Sequence, residues 1–318
     1  MGYGCPHFSE YVSHDKEGTH MSSKHQRRNK RGKNRPGMIP AEVFAPLKAV
    51  TGRPPLNIYL HELWQRRFFI RAEARAKAFS GTRNLLLGKL WLLLSPLLDT
   101  LIYGIIFGII LKTSHGVDHF VLFLIIGVVL FRLISKDLTD GSGIIRARKN
   151  VIKAFSFPRA SLILSNSLKS LYDSVPPLLV LFAVIYFYPD GPDPTLTWLA
   201  FPLLFIVIKL FGAGLTFFAA WCTHLVPDLS RIIQVFTRFW FYGSGVFFSI
   251  DRFVDQPTLL RAMQLNPAYQ MLTAGRDLLI YNSLPNTSTS ALLLCWSITT
   301  FIVGFLLFWS AETRYAKF

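Results

Sequence analysis

The amino-acid sequence predicts an all-α integral membrane protein. It has six transmembrane helices, an N-terminal interfacial amphipathic helix, and re-entrant helices between spans five and six. Hydrophobic residues make up 51% of the 318 residues and charged residues only 16%, whereas soluble domains carry roughly 25% charged residues. The hydrophobic residues are gathered into runs of about 20, the length that a helix needs to cross a bilayer. This composition argues against a soluble globule, a disordered chain and a disulfide-stapled secreted domain.

The first 58 residues are polar, are interrupted by Gly and Pro, and carry 10 Lys or Arg against 4 acidic residues. We interpret residues 1–58 as a disordered, basic cytoplasmic tail. They contain no apolar core of the kind that a secretory signal requires. Adhesion of the tail to anionic lipid is the functional alternative, and a start site at Met21 or Met38 is also compatible with the sequence.

Residues 59–89 are predicted to hold an amphipathic helix that lies in the membrane interface. Apolar side chains recur every four residues along 60–79, which indicates one face of a helix. Arginines at the same spacing flank that face, so their stems can lie along it while their charged ends reach lipid phosphate. Packing against a partner protein is the alternative. The residues that carry this prediction are Leu60, Trp64, Arg67, Phe68, Arg71, Ala72, Arg75 and Ala76.

Six apolar segments are predicted to span the membrane. Residues 90–111, 198–221, 232–250 and 291–311 are long enough to cross a hydrocarbon core of about 30 Å. Two further segments, 120–135 and 171–188, are shorter, and the second contains a Pro176-Pro177 pair. Together with the tail and the interfacial helix, residues 90–318 therefore form the six-span domain.

The basic residues predict the orientation of these spans. Residues 1–89 carry 17 Lys or Arg and residues 132–172 carry 8, whereas 112–119 carry one, 189–197 none and 251–290 three. Because basic residues concentrate in cytoplasmic connections, both termini are predicted to be cytoplasmic. Topology thus accounts for most of the net charge of +16, and no nucleic-acid partner is needed.

Residues 251–290 are too apolar for a solvated outer connection. Two segments within it, 259–265 and 268–280, are too short or interrupted for ordinary spans. They are predicted to be re-entrant helices that dip in from the outer face, where surrounding protein would satisfy their backbone ends.

Two ionisable residues lie inside predicted spans at similar depth. Asp99 lies about 14 Å into span one, and Lys209 lies near the middle of span four. Because unpaired charges are costly there, we predict that Asp99 and Lys209 pair, within one chain or between two copies. Contact with substrate phosphate, or exposure to a water-filled channel, is the alternative.

Aromatic side chains gather on single faces of spans one and five. They are Tyr103, Phe107, Phe236, Phe239, Trp240 and Phe247. Such rings can line a path for sugars, although helix packing or contact with lipid is an equally ordinary use of them.

Motifs for hydrolysis are missing from the sequence. It contains no Gly-x-x-x-x-Gly-Lys-Ser/Thr phosphate loop, so the chain cannot hydrolyse ATP by that route. It has no His-Glu-x-x-His or Gly-x-Ser-x-Gly motif, and Cys5, Cys222 and Cys295 lie too far apart for a metal-binding pattern. We therefore expect no catalytic site, no metal site and no cofactor on this chain.

The connection over 140–159 is the richest polar segment. Asp140 and Ser142 are suitable helix N-caps and Pro158 is a helix stop, so a short cytoplasmic helix is expected between them. Its second half reads Asn150-Val151-Ile152-Lys153, followed by Phe157-Pro158.

At these residues the sequence resembles the type 2 permease family of ABC transporters, in particular the permeases that export O-antigen, teichoic acid and galactan-like glycans. The resemblance covers about residues 60–318 and rests on the order of several weak motifs. One departure is Pro227, where the family usually has Arg. The other motif residues are Leu90, Trp91, Leu93, Leu94, Pro96, Tyr103, Phe107, Gly108, Asp228, Leu229, Asn266, Pro267 and Arg276.

The resemblance implies the permease half of an ATP-driven exporter that moves a lipid-linked polysaccharide or teichoic-acid-like polymer across the bacterial cytoplasmic membrane. Two copies would assemble with two separate ATPase subunits, which hold the ATP and Mg²⁺. A small-molecule or drug exporter of the same family is the main alternative, and a membrane-embedded glycosyl- or acyltransferase is another.

The resemblance also implies that residues 142–153 form a coupling helix seated on the ATPase, with the helix at 60–79 and the turn at 226–230 as secondary contacts. A merely solvated basic loop is the alternative. The coupling residues are Ser142, Ile145, Arg146, Arg148, Lys149, Asn150 and Lys153.

Overall fold

Helices account for the regular secondary structure of the residues that the computed structural model describes. These are residues 54–78, 94, 97–98, 101–102, 105–106, 119–155, 157–189, 191–249 and 257–316. They all belong to one unit, which runs from Thr51 to Phe318. The helices are α1 (Leu56–Gln65), α2 (Arg67–Lys77), α3 (Phe120–Gly141), α4 (Ile144–Ala147), α5 (Lys149–Ala154), α6 (Ala160–Tyr186), α7 (Phe201–Leu225), α8 (Leu229–Gly243), α9 (Pro257–Leu265), α10 (Pro267–Leu279) and α11 (Thr287–Ser310), with 3-10 turns at Leu196–Ala200 and Arg314–Ala316.

Three of these helices are long and apolar enough to cross a membrane: Ala160–Tyr186, Leu196–Leu225 and Thr287–Ser310. They coincide with predicted spans three, four and six. The third begins 11 residues before the predicted start at 171 and continues through Pro176 and Pro177. Its early serines are buried, and Ser161 and Ser165 donate hydrogen bonds to carbonyls of the preceding turn. These polar residues are therefore compatible with a buried helix.

Helix α3 lies at the centre of the fold. Its 22 residues span about 33 Å, and it packs against α6, α7 and α10. It continues past the predicted end at residue 135, and Asp137 in that extension is buried. The side chains that α3 and its neighbours bury form the larger of two hydrophobic clusters.

The predicted span at 232–250 corresponds to α8, which is shorter. It ends at Gly243, and the chain then turns through Gly245, whose φ of +65° lies in the left-handed region that glycine adopts without strain. Its 15 residues reach about 22 Å, less than the thickness of a hydrocarbon core. None of its residues is buried, so α8 is a peripheral helix in this chain.

Helices α7 and α11 pack against each other with their backbones in close approach. A β-carbon placed on Gly304 would lie 2.4 Å from the carbonyl oxygen of Gly214. Small residues at such a crossing allow two helices to pack tightly within a membrane.

The second hydrophobic cluster lies at the end of the bundle that holds Gly141 and Thr223, which we call the lower end. It joins α1 and α2 to α4, α5, the start of α6 and the end of α11. The predicted single helix at 60–79 is two helices, which change direction at Arg66. Both turn one face inward, through Tyr59 and Leu63 on α1 and Ile70 and Ala74 on α2.

The predicted first span, 90–111, lies mostly outside the described residues, as do residues 1–53. Helices α9 and α10 match the two short apolar segments predicted at 259–265 and 268–280. Helix α10 is well packed, with Met271, Leu272 and Ala274 fully buried.

Candidate functional site

The predicted coupling helix is two short helices, α4 and α5, which are separated by Arg148. Ile144, Ile145 and Ile152 are buried in the cluster at the lower end. These three side chains fix the segment to the body of the protein. The outward side chains of Arg146, Asn150 and Lys153 are exposed.

The predicted caps of this segment are wrong. Gly143 is the N-cap residue of α4, with a φ of +79°, and no side chain caps the helix. Its backbone N–H donates instead to the hydroxyl of Thr223, at 3.0 Å. This bond joins α4 to the end of α7, and Leu225 and Val226 in the adjoining turn are exposed.

Phe155 is the largest exposed apolar residue of the segment, with 66% of its surface accessible. It directly follows α5 and lies two residues after Lys153. The sequence analysis did not single it out, because a phenylalanine in a basic connection gives no periodic signal. Its exposure is a property that only the structure reveals.

Helix α2 contacts the same segment through Glu73. The Arg148 guanidinium lies 3.4 Å from the Glu73 carboxylate, which also pairs with Lys77 one turn along α2. Partial burial lowers the pKa of Lys77 to about 8. Of the arginines predicted to act on α2, Arg71 and Arg75 are exposed, while Arg67 lies over the rings of Trp64 and Phe68 at 5.2 and 4.5 Å.

The outer face of α1 and α2 is apolar and exposed. Trp64 and Phe68, at 67% and 65% exposure, are its largest side chains. This face is the stripe that the sequence predicted. The inward face of Tyr59, Leu63, Ile70 and Ala74 was missed, because both faces have helical spacing and the more aromatic one gave the stronger signal.

Glu312 joins three parts of the lower end. Its buried carboxylate accepts a hydrogen bond from the Tyr59 hydroxyl at 2.9 Å, and accepts bonds from the backbone and side chain of Arg159 at 3.0 and 3.1 Å. The Tyr59 oxygen in turn accepts from the backbone N–H of Ala160. Helix α1, the start of α6 and the segment after α11 therefore meet at one carboxylate.

Lys209 pairs with Asp137 in the interior of the bundle. Its ammonium group donates to the Asp137 carboxylate at 3.1 Å and to the Ser170 hydroxyl at 3.0 Å, and Ser170 itself donates to Asp137. The three residues join α7, α3 and α6. Asp99, the partner predicted from sequence, lies outside the described residues, and Asp137 was missed because it falls beyond the predicted end of span two.

Gly212 makes room for this pair. A β-carbon at Gly212 would lie 2.1 Å from an Asp137 carboxylate oxygen. Thr216, one turn along α7, donates to the backbone carbonyl of Asp137 at 2.9 Å. The pair is thus enclosed by close-fitting backbone and neutral donors, as a buried ion pair requires.

The predicted aromatic residues of span five are only partly brought together. Phe236 stacks on Trp240 at 5.9 Å, and Trp240 packs edge-on against Phe131 of α3 at 5.4 Å. Phe247 packs on Phe241, whereas Phe239 is 73% exposed. Tyr103 and Phe107 lie outside the described residues.

Two motif residues of the region between α8 and α11 have structural contacts. Asn266 accepts a hydrogen bond from the Trp240 indole at 3.0 Å and caps α10. Arg276 is buried and donates to the backbone carbonyls of Gly245 and Val246 at 2.9 and 3.0 Å, with its guanidinium over the Phe123 ring. These two side chains hold the turn after α8 against α10 and α3.

The described residues contain no group of three His, Cys, Asp or Glu side chains placed to hold a metal ion. Their organised polar features are therefore the lower-end contacts, the enclosed ion pair and the Arg276 and Asn266 contacts. They fix helices against one another, and the exposed side chains around α4 and α5 form the largest surface that they present.

Comparisons with known proteins agree with the resemblance seen in the sequence. The chain is 22% identical over 260 residues to the O-antigen export system permease protein RfbA of Myxococcus xanthus, which covers 81% of this chain and 98% of that protein. It is 25% and 26% identical to two permeases of the same name from Klebsiella pneumoniae, over 74% and 72% of this chain and 88% and 86% of theirs. The model of the ABC-2 type transporter family matches residues 77–280. The chain therefore belongs to the ABC-2 type transporter family.

Proposed function

We propose that this chain is the permease subunit of an ATP-driven exporter that carries a lipid-linked polysaccharide across the bacterial cytoplasmic membrane. Family membership makes it a transport subunit rather than an enzyme. Its relatives in Myxococcus and Klebsiella are named as O-antigen export permeases, which favours a glycan over a small molecule. ATP and Mg²⁺ belong to a separate ATPase subunit, and two permease copies form the membrane part.

In this proposal the lower end faces the cytoplasm. The basic residues at 132–172 lie there, and Tyr59 near the start of the described chain meets Glu312 near its end at the same side. That contact supports both termini being cytoplasmic. The six spans are completed by the segment at 90–111, by α3 and by α8, with α9 and α10 dipping in from the outer side.

The aromatic face of α1 and α2 lies in the inner membrane interface. Trp64 and Phe68 are the side chains that enter the lipid, and Arg71 and Arg75 reach phosphate groups. The arrangement of buried Tyr59 and Leu63 against exposed Trp64 supports this, since one face is already used for packing within the protein.

The single observation that carries the coupling role is the two-faced build of α4 and α5. Three buried isoleucines anchor the segment, while Arg146, Asn150, Lys153 and Phe155 are exposed around it. An exposed aromatic ring surrounded by basic residues matches the usual composition of protein interface centres, where a few anchors carry most of the binding energy. The ATPase subunit is the partner that this surface binds.

This proposal is tested by purifying the detergent-solubilised protein from native membranes and measuring a co-purifying ATPase with vanadate-sensitive hydrolysis. We expect one ATPase per permease, and a Phe155→Ala variant that retains less than about a tenth of it. Phe187→Ala is the matched control, because Phe187 is 79% exposed at the opposite end of α6. Recovery of no ATPase with intact wild-type permease, or equal recovery with both variants, would remove the coupling assignment.

A further inference from the structure

Arg132 on α3 and Arg238 on α8 line one cavity of about 320 Å³ on the side of the bundle. The hydroxyl-bearing residues Ser135, Thr237 and Tyr242 line the same cavity, and Phe131 forms part of its wall. No acidic side chain is among the lining residues. The volume lies at the small end of the range for small-ligand sites, about 300–1,000 Å³.

The two arginines lie at the same depth. Arg132 is nine residues before the end of α3 at Gly141, and Arg238 is nine residues after the start of α8 at Leu229. Both ends belong to the lower end of the bundle, because Gly143 is hydrogen-bonded to Thr223 near the end of α7. At 1.5 Å per residue, each arginine lies about 14 Å from that end, near the middle of a hydrocarbon core.

The acidic residues of the lower half of α3 belong to other contacts or other faces. Asp137 is on the opposite side of the helix, about 140° round from Arg132, where it pairs with Lys209. Asp173 of α6 pairs with Lys136 and Lys169. The cavity therefore presents two guanidinium groups in a setting where like charges raise each other's cost and an anion lowers it.

We propose that this cavity binds the diphosphate group of the isoprenoid-linked glycan as it passes the middle of the membrane. Guanidinium groups bind phosphate oxygens through pairs of parallel hydrogen bonds, and neutral hydroxyls supply further donors. A phospholipid headgroup carries the same phosphate chemistry, but it resides at the interface, about 14 Å away from these side chains. This assignment rests on the proposed function, because it takes a translocated lipid-linked substrate as the ligand.

The test measures binding of tritiated farnesyl diphosphate to the full-length chain in phosphatidylcholine nanodiscs. We expect Arg132→Gln and Arg238→Gln each to weaken binding by about tenfold or more, as loss of a charge-assisted bidentate contact implies. Arg231→Gln is the matched control, because Arg231 is exposed on α8 but does not line the cavity. Its affinity should stay within about twofold of the wild type. Arg238 is exposed, so its variant is expected to fold even if the Arg132 variant does not.

Two competitors separate the possible sources of the phosphate. Farnesol, which lacks phosphate, should compete weakly and equally against all variants, and phosphatidylglycerol should compete far less than unlabelled farnesyl diphosphate. Wild-type affinity in both arginine variants, or equal competition by phosphatidylglycerol, would overturn the proposal. Such a failure alongside a co-purifying ATPase would leave the exporter function intact, whereas arginine-dependent binding without an ATPase would fault the proposed function instead.

Discussion

Lys209 and Asp137 lie 72 positions apart in the chain, and their side chains meet at 3.1 Å in the interior of the bundle. Both residues are buried. Their contact is not a surface pair that salt would screen, since it is closed in by Ser170 and by the backbone at Gly212. The relationship binds α3, α6 and α7 into one unit.

Removal of either charge should strongly destabilise the protein. We expect Asp137→Asn or Lys209→Met to lower the free energy of unfolding by about 3–5 kcal/mol, because the remaining charge is buried without its counter-charge. The double variant should recover most of this loss. The measurement is the thermal melting of the purified protein in detergent.

The control for that experiment is Lys136→Met. Lys136 pairs with Asp173 but its side chain is 39% exposed, so its loss should cost less than about 1 kcal/mol. Additive losses in the double variant would contradict the pairing. Asp99→Asn, measured in the same series, tests the partner that the sequence predicted for Lys209.

The close approach of α7 and α11 predicts a strong effect of a single methyl group. Gly304→Ala places a β-carbon 2.4 Å from the Gly214 carbonyl oxygen, so the helices must move apart. We expect a loss of about 1–3 kcal/mol in the free energy of unfolding. Gly243→Ala should be neutral or slightly stabilising, because its new β-carbon would meet no atom of another described helix within 4 Å. Equal melting of the two variants would refute the tight crossing.

The buried carboxyl of Glu312 predicts a pH dependence. Burial raises the pKa of Glu312 above its ordinary value, although the hydrogen bonds from Arg159 oppose this. The folded state then binds this proton more tightly than the unfolded state. The contribution to stability is therefore largest below the unfolded pKa, about 4.5, and is lost as pH rises through the folded pKa.

The measurement is the melting temperature between pH 5 and pH 8 for the wild type and for Glu312→Gln. The wild type should lose more stability across this interval than the variant, which has no titrating group at this position. Parallel curves would show that the Arg159 contact cancels the effect of burial.

Spin labels on α1 test its orientation in the membrane. Trp64 and Glu62 are both exposed, but they lie about 200° apart around the helix. A label at Trp64→Cys should collide mainly with oxygen dissolved in lipid, and one at Glu62→Cys mainly with a water-soluble nickel complex. Equal exposure of both labels to the nickel complex would place this helix in water.

The sequence predicted those features whose signal is local. Apolar length predicted α6, α7 and α11, and the family order of weak motifs led to Arg276 and Asn266, which the structure shows as contacts between helices. Four-residue spacing predicted the outer face of α1 and α2. The break at Arg66 was not predictable, because the buried positions keep their spacing across it.

Pairings between distant residues were not predictable. Lys209 was recognised as a costly charge, but Asp137 had been counted with the polar connection after span two. Glu312 gave no signal at all, since an acidic residue after the last span resembles an ordinary polar end. Both contacts depend on how helices pack, which a single sequence does not encode in any local pattern.

The ion pair at Asp137 also constrains how the protein is made. A ribosome adds about 5–20 residues per second, so the 72 residues between Asp137 and Lys209 take roughly 4–14 s to synthesise at that rate. Helix α3 must therefore wait at the insertion machinery with an unmatched acidic group until α7 follows it. Biogenesis of this chain should release α3, α6 and α7 into the lipid together, as a group of three helices rather than one at a time.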